Sequence, residues 1–277
     1  MRVHICGARG STPAPGADFI RYGGHTSCVA VAHDDELPSL VLDAGTGLQR
    51  LSRLYEGTAF HGSILLSHLH WDHTHGLPFF PAGDRPEARV RLFIPAQEGG
   101  TRVLEQLMAP PHFPITPAEL RGDWCIELLE AGTVEIEGFT VTAADIPHKG
   151  GRTFGYRVSD GTASLAYLSD HSPINFGPGP EGHGELHAAA LALADGVDML
   201  LHDAQYTAAE FEGRKTFGHT TIDYAVQLGQ EAGAKRVVLF HHDSMRTDDA
   251  LDAIVESCQG AKVPVTAATE GEVIRLP

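Results

Sequence analysis

Ser63-Ile64-Leu65-Leu66-Ser67-His68-Leu69-His70-Trp71-Asp72-His73 is the stretch on which the reading of this chain turns. An apolar run of strand length ends in three imidazoles and a carboxylate packed into positions 68–73. Alternate side chains of a strand share a face, so His68 and His70 point the same way where the strand stops. Asp72 and His73 then return from the following turn and helix start. Neutral imidazole and carboxylate are preferred ligands of zinc, manganese and iron, and four of them in so short a span can hold two ions close together. The plain alternative is a polar, histidine-rich loop, which the ordered His-x-His-x-Asp-His pattern at a strand end argues against.

That pattern is the signature of the metallo-β-lactamase fold superfamily of hydrolases, and the resemblance extends past it. The chain is similar to the branch that holds ribonuclease Z and the small cyclic phosphodiesterases. The similar segments are Gly7-Ala8-Arg9-Gly10-Ser11-Thr12-Pro13, Asp43-Ala44-Gly45-Thr46-Gly47, Leu201-His202-Asp203-Ala204 and Gly218-His219-Thr220-Thr221. The resemblance implies an α/β (α+β) fold, an αββα sandwich of two packed mixed β-sheets with helices on the outer faces and metals at one end of the sheets.

It also implies a ligand set. His68, His70 and His148 would bind one ion, Asp72, His73 and His241 the other, and Asp170 would bridge. His148, Asp170 and His241 each stand just beyond an apolar strand-like run, at 141–144, 166–169 and 237–240. His242 is the alternative to His241, because neighbours at a strand end leave in opposite directions. His241 is favoured, since it follows the strand directly. Two divalent ions are expected as cofactors, with Zn2+ first and Mn2+ or Fe2+ accepted by the same ligands. Asp43 follows another strand, and by the resemblance it sits behind the ligands, where a carboxylate fixes the tautomer of a ligand histidine; a turn or helix cap is the alternative.

Two close metals lower the pKa of a shared water and hold the hydroxide for attack. Asp72, His219 and Asp203 are the residues expected in catalysis. His219 would give a proton to the leaving oxygen, oriented by Asp203, which stands where ribonuclease Z carries a glutamate and is one methylene shorter. Otherwise His219 would merely cap the helix that starts near Thr220. His25, where relatives carry asparagine, would either add a donor near the site or lie outside it. Pro110-Pro111-His112-Phe113-Pro114-Ile115 reads equally as a stiff pocket wall or a rigid connection.

The chain has 277 residues, 42% of them apolar, with no linker, repeat or low-complexity block, so one domain spanning 1–277 is expected. Its 36 acidic and 20 basic residues leave a net charge of -16, a field that repels long polyanions and favours a small phosphodiester as substrate. Cys6, Cys28, Cys125 and Cys258 form no Cys-x-x-Cys pair and read as reduced thiols. With no leader and no membrane-length apolar run, a cytoplasmic protein without membrane contact is expected, and a homodimer is compatible with its size. Strands are predicted at 3–6, 26–31, 39–42, 63–66, 90–94, 139–144, 155–158, 165–168, 199–201 and 237–240, and helices at 47–55, 101–108, 185–194, 222–232 and 248–257.

The leading expectation is hydrolysis of a small or cyclic phosphodiester. A ribonuclease Z-like transfer-RNA endonuclease is the nearest rival, disfavoured by the lack of a Lys/Arg-rich insertion. Lactone or thioester hydrolysis on the same ligands, and a metal-bound sensor or binding module without activity, complete the alternatives.

Overall fold

A computed structural model describes residues 1–172 and 187–277. The first sheet takes β1 (Arg2–Gly7), β2 (Cys28–Ala32), β3 (Leu40–Leu42), β4 (His61–Leu65), β5 (Arg89–Pro95) and β6 (Asp123–Leu129), with β14 (Val273–Arg275) at its other edge. Its order is β14-β1-β2-β3-β4-β5-β6. The second takes β7 (Gly132–Ile136), β8 (Phe139–Asp145), β9 (Phe154–Ser159), β10 (Ser164–Leu168), β11 (Met199–Asp203), β12 (Val237–Phe240) and β13 (Val265–Ala267). Its order is β13-β12-β11-β10-β9-β8-β7.

The central strands read as unbroken apolar runs because both of their faces are covered. In β3, Leu40 and Leu42 enter the layer between the sheets while Val41 faces outward. In β11, Met199 and Leu201 point inward and Leu200 outward. The inward set meets Val158, Leu165, Tyr167, Val238 and Phe240 in one continuous core. Outside the first sheet lies α1 (Leu48–Leu51), and outside the second lie α4 (Ala188–Ala194) and α6 (Ile222–Glu231). The architecture is therefore the expected αββα sandwich.

Strands β3, β4 and β5 run parallel, as do β10, β11 and β12. Two antiparallel steps through β9 give β8 the direction of β10. The carboxyl ends of both sets open on one rim, the place where α/β sheets put their ligands.

Four strands escape the sequence patterns. β6 and β7 stand at sheet edges, where mixed burial leaves no apolar run, and β13 and β14 have only three residues each. The helix expected at 47–55 is α1 continued by a 3-10 turn, Ser52–Tyr55. α4 begins at Ala188, and positions 185–186 of the expected helix lie outside the described residues. Among the described residues no helix is long and apolar enough to cross a membrane.

Leu201 is fully buried between the sheets. Leu201→Ala should lower stability by about 2–5 kcal/mol, and Val134→Ala, on the exposed edge strand, by no more than about 0.5 kcal/mol. Urea denaturation followed by circular dichroism checks both.

Candidate metal centre

Every group in the rim cluster hangs from a strand end. His68 and His70 follow β4, Asp72 and His73 lie in the short helix α2 (Trp71–Thr74), His148 follows β8, Asp170 follows β10 and His241 follows β12. Asp170 stands in the middle. Its Oδ2 is 3.6 Å from His68 Nε2 and 3.4 Å from His148 Nε2, whose own neighbour is His70 Nδ1 at 3.2 Å. Its Oδ1 is 3.1 Å from His73 Nε2 and 3.2 Å from His241 Nε2. Asp72 Oδ2 completes that second nest, 3.0 Å from His241 Nε2 and 3.3 Å from His73 Nε2.

Hydrogen bonds behind the cluster set the tautomers. Asp43 is fully buried and accepts from Ser67 N at 2.6 Å, Ser67 Oγ at 2.8 Å, His73 Nδ1 at 2.7 Å and the Tyr167 hydroxyl at 2.8 Å. With His73 Nδ1–H given to Asp43, the lone pair of His73 lies on Nε2, toward the cluster. The Ser67 hydroxyl has spent its proton on Asp43, so it accepts from His68 Nδ1 at 3.0 Å and leaves the His68 lone pair on Nε2. His148 Nδ1 donates to Gly218 O at 2.7 Å, with the same result. Asp43 thus stands behind the cluster.

Burial pushes His68 and His70 down, and His148 down to about 4, against the opposing pull of Asp170. These rings are neutral at pH 7. Burial opposes ionisation of Asp72 and Asp170, yet the surrounding histidines hold both well below the usual carboxylate range. Burial also opposes a charge on His73, but Asp170, Asp72 and Asp43 together raise it. Among the described residues, His68 Nε2, His73 Nε2 and Asp170 Oδ2 have no hydrogen-bond partner though fully enclosed. Enclosed imidazole lone pairs converging on two ionised carboxylates fit divalent cations, which would take the place of the proton that the carboxylates otherwise hold on His73.

The choice between His241 and His242 is made by the backbone. His241 sits in the left-handed region at φ 58°, which turns its ring into the cluster. His242 points away and donates from Nε2 to Ala268 O at 3.0 Å. Gly10 lies against the other side of His241, where a Cβ would fall 2.3 Å from Nδ1. The loop carrying Gly10 is pinned by the buried Arg9, which donates to Gly23 O and Arg246 O, each at 2.7 Å.

A family model described as a beta-lactamase superfamily domain matches residues 39–242, the span from β3 to the end of β12. The chain belongs to the beta-lactamase superfamily. It is a metal-dependent hydrolase of the metallo-β-lactamase fold. It is 25% identical over 240 residues to ribonuclease Z of Anoxybacillus flavithermus (strain DSM 21510 / WK1), covering 71% of this chain and 73% of that one. Two solved structures share the fold. A diphosphatase from the PhnP family superposes with a TM-score of 0.71 at 19% identity, covering 100% of this chain and 98% of that one. Zn(2+)-bound PqqB from Methylobacterium extorquens does so with a TM-score of 0.73 at 19% identity, covering both chains fully (100% and 100%).

Beside the cluster the superfamily fold forms a cleft of about 450 Å³ lined by Ser11, Leu69, His70, Trp71, Asp72, Leu107, Asp170 and His219. His219 Nδ1 donates to Asp203 Oδ2 at 2.8 Å, so the short side chain of Asp203 does reach it. Burial would lower the His219 pKa, but Asp203, with Asp170 and Asp72 behind it, pushes it up to about 9. Asp203 also accepts from His171 N, Gln205 N and Thr220 N. Its lone pairs are satisfied, so it is placed to orient a ring rather than to hold a cation. The helix α6 is capped by Thr221, whose hydroxyl accepts from Tyr224 N at 3.2 Å, which removes the capping role from His219.

Of the remaining sequence candidates, His25 leans on Thr46 and Glu270 and does not line the cleft. Two carboxylates that fit no ligand motif, Asp145 and Asp195, also stand apart: Asp145 pairs with Arg152, and the Asp195 carbonyl accepts from Arg157. Sequence reasoning assigned no role to Ser67, Tyr167 or Ser11. Ser11, at φ 65°, gives its backbone N–H to Asp72 Oδ2 at 2.7 Å. The first two could have been sought as hydroxyls at the ends of the same strands.

Asp43→Asn should weaken zinc binding roughly 10–100-fold, because a side-chain amide cannot accept all four of those donors. Competition with a chromophoric chelator measures this, and His242→Gln, outside the cluster, should leave zinc affinity near that of the parent.

Proposed function

We propose that the protein is a dinuclear metal-dependent phosphodiesterase acting on a small or cyclic phosphodiester. The observation that carries this reading is the Asp203–His219 pair in the cleft wall, beside the His/Asp cluster. His68, His70 and His148 would hold one divalent ion and Asp72, His73 and His241 the other, with Asp170 between them, and zinc is the first expectation. When bound, such ions supply a nucleophile by lowering the pKa of water and offset the charge that builds on the phosphoryl oxygens.

The residues of the chain do the rest. Asp203 fixes the His219 ring through Nδ1 and favours its charged form, which leaves Nε2 as the nitrogen that can deliver a proton to the departing oxygen. The N–H of Ser11 fixes the Asp72 carboxylate toward His241 and His73. Acyl-transfer chemistry on a lactone or thioester uses the same cluster but gives no reason for a second His/Asp pair.

The ribonuclease Z relative supports a second reading, an endonuclease on transfer-RNA precursors. A net charge of -16 weighs against a long polyanion, and cleavage of a precursor transfer RNA at low enzyme concentration would decide for it.

His219→Ala should keep its metal and lower kcat by roughly 10²–10⁴-fold on a 2',3'-cyclic nucleotide, whose leaving alkoxide needs a proton. The loss should be much smaller on bis(p-nitrophenyl) phosphate, whose phenolate leaves unaided. Steady-state kinetics with metal analysis of both proteins tests this; equal losses on the two substrates would remove the acid role. Dialysis against a strong chelator should abolish both activities, and readdition of zinc should restore them.

A further inference from the structure

The cleft does not end at the cluster. Trp71 and Leu107 form its outer wall and at the same time one wall of a second cavity, of about 380 Å³, that continues away from the His/Asp groups. Its lining includes the Trp71, Phe79 and Phe113 side chains together with Met108, Gln49 and His112. Trp71 is 67% exposed and Phe79 52% exposed, so two large aromatic faces lie open in one patch. Trp71 is stacked on His75, and Phe79 meets Phe113 edge to face, which holds these rings in fixed planes. Contiguous exposed aromatics beside a polar cleft mark a binding surface.

We infer that this groove is the subsite for a nucleobase carried by the phosphodiester substrate. The inference rests on the phosphodiesterase reading, which puts the phosphoryl group at the cluster and leaves its ester substituent to run along Trp71. Flat faces with hydrogen-bonding edges suit a heteroaromatic ring, because every base has a π-face to stack and a polar rim to satisfy. The far end of the groove separates a nucleotide from an alkyl or lipid substituent. There Gln49, Pro78 and Phe79 are shared with a third cavity that carries Arg53 and Arg85, and neither guanidinium makes an ion pair among the described residues. Unpaired cationic groups in a cavity that adjoins the aromatic patch, beside the Arg121–Asp84 pair, match a further phosphate of a nucleotide, and an aliphatic chain has no use for them.

The test is calorimetric binding of three monoesters to the zinc-loaded protein: thymidine 5'-monophosphate, methyl phosphate and octyl phosphate. The parent should bind the nucleotide roughly tenfold more tightly than methyl phosphate, the size of one stacked base, and more tightly than octyl phosphate. Trp71→Ala and Phe113→Ala, both at positions that are not fully buried, should each lower that nucleotide-to-methyl ratio at least several-fold, with zinc content verified in every protein. A ratio near one in the parent, a ratio that survives both substitutions, or tightest binding of octyl phosphate would each overturn the subsite. Turnover of bis(p-nitrophenyl) phosphate is scored separately. Its absence would defeat the phosphodiesterase reading, while the binding ratios would still decide whether the groove holds a base.

Discussion

A single buried carboxylate orients one histidine from each half of the His/Asp cluster. Asp43 is satisfied by four donors, from Ser67, His73 and Tyr167. Those bonds fix it behind the cluster, and they consume the outward protons of His73 directly and of His68 through Ser67. The inward nitrogens are left as acceptors. Tyr167 belongs to β10 of the second sheet and Ser67 follows β4 of the first, so the same carboxylate ties the two sheets together at the rim.

The geometry needs backbone conformations that side chains seldom adopt. Asp43, Ser11 and His241 all have positive φ, at 61°, 65° and 58°. Each costs on the order of 1 kcal/mol or more, and each turns a polar group into the site where a relaxed strand end would send it elsewhere. The surroundings hold them there. Gly10 N donates to His242 O and His242 N to Ala8 O, a two-way bridge that locks the first loop against the turn after β12. Arg9, its charge opposed by burial and supported by Asp248, anchors that loop from behind.

What could be read from the sequence follows from this construction. Fully buried central strands are written locally as apolar runs, so β3, β4, β11 and β12 and the polar residues just past them stood out. The signature histidines, His148 and Asp170 were legible as groups just past such runs, whereas His219 stands in the loop before α6 and was singled out, with Asp203, only by the family resemblance. Contacts between residues far apart in sequence were not, as with Ser11 on Asp72 across 61 positions and Tyr167 on Asp43 across 124. The choice between His241 and His242 depends on one φ angle, which no spacing rule encodes. The edge strands β6 and β7 were missed because they lack a doubly buried face.

The Asp203–His219 contact shows how a shorter carboxylate can still reach its partner. Asp203 is the last residue of β11, held between β10 and β12, and cannot move toward the histidine. The histidine loop comes to it instead. Tyr206 N bonds to Thr220 O and Ile222 N to Tyr206 O, which lays the segment after β11 alongside the start of α6. Thr220 N then reaches Asp203 Oδ1, and His219 is delivered to Oδ2. The pair therefore depends on the backbone path of residues 218–222 staying against the end of β11. Gly218, at φ 100°, packs against His148 so closely that a Cβ there would lie 2.9 Å from the ring. The loop that carries His219 and the ring of His148 are therefore one packed unit, and a disturbance of either reaches the other.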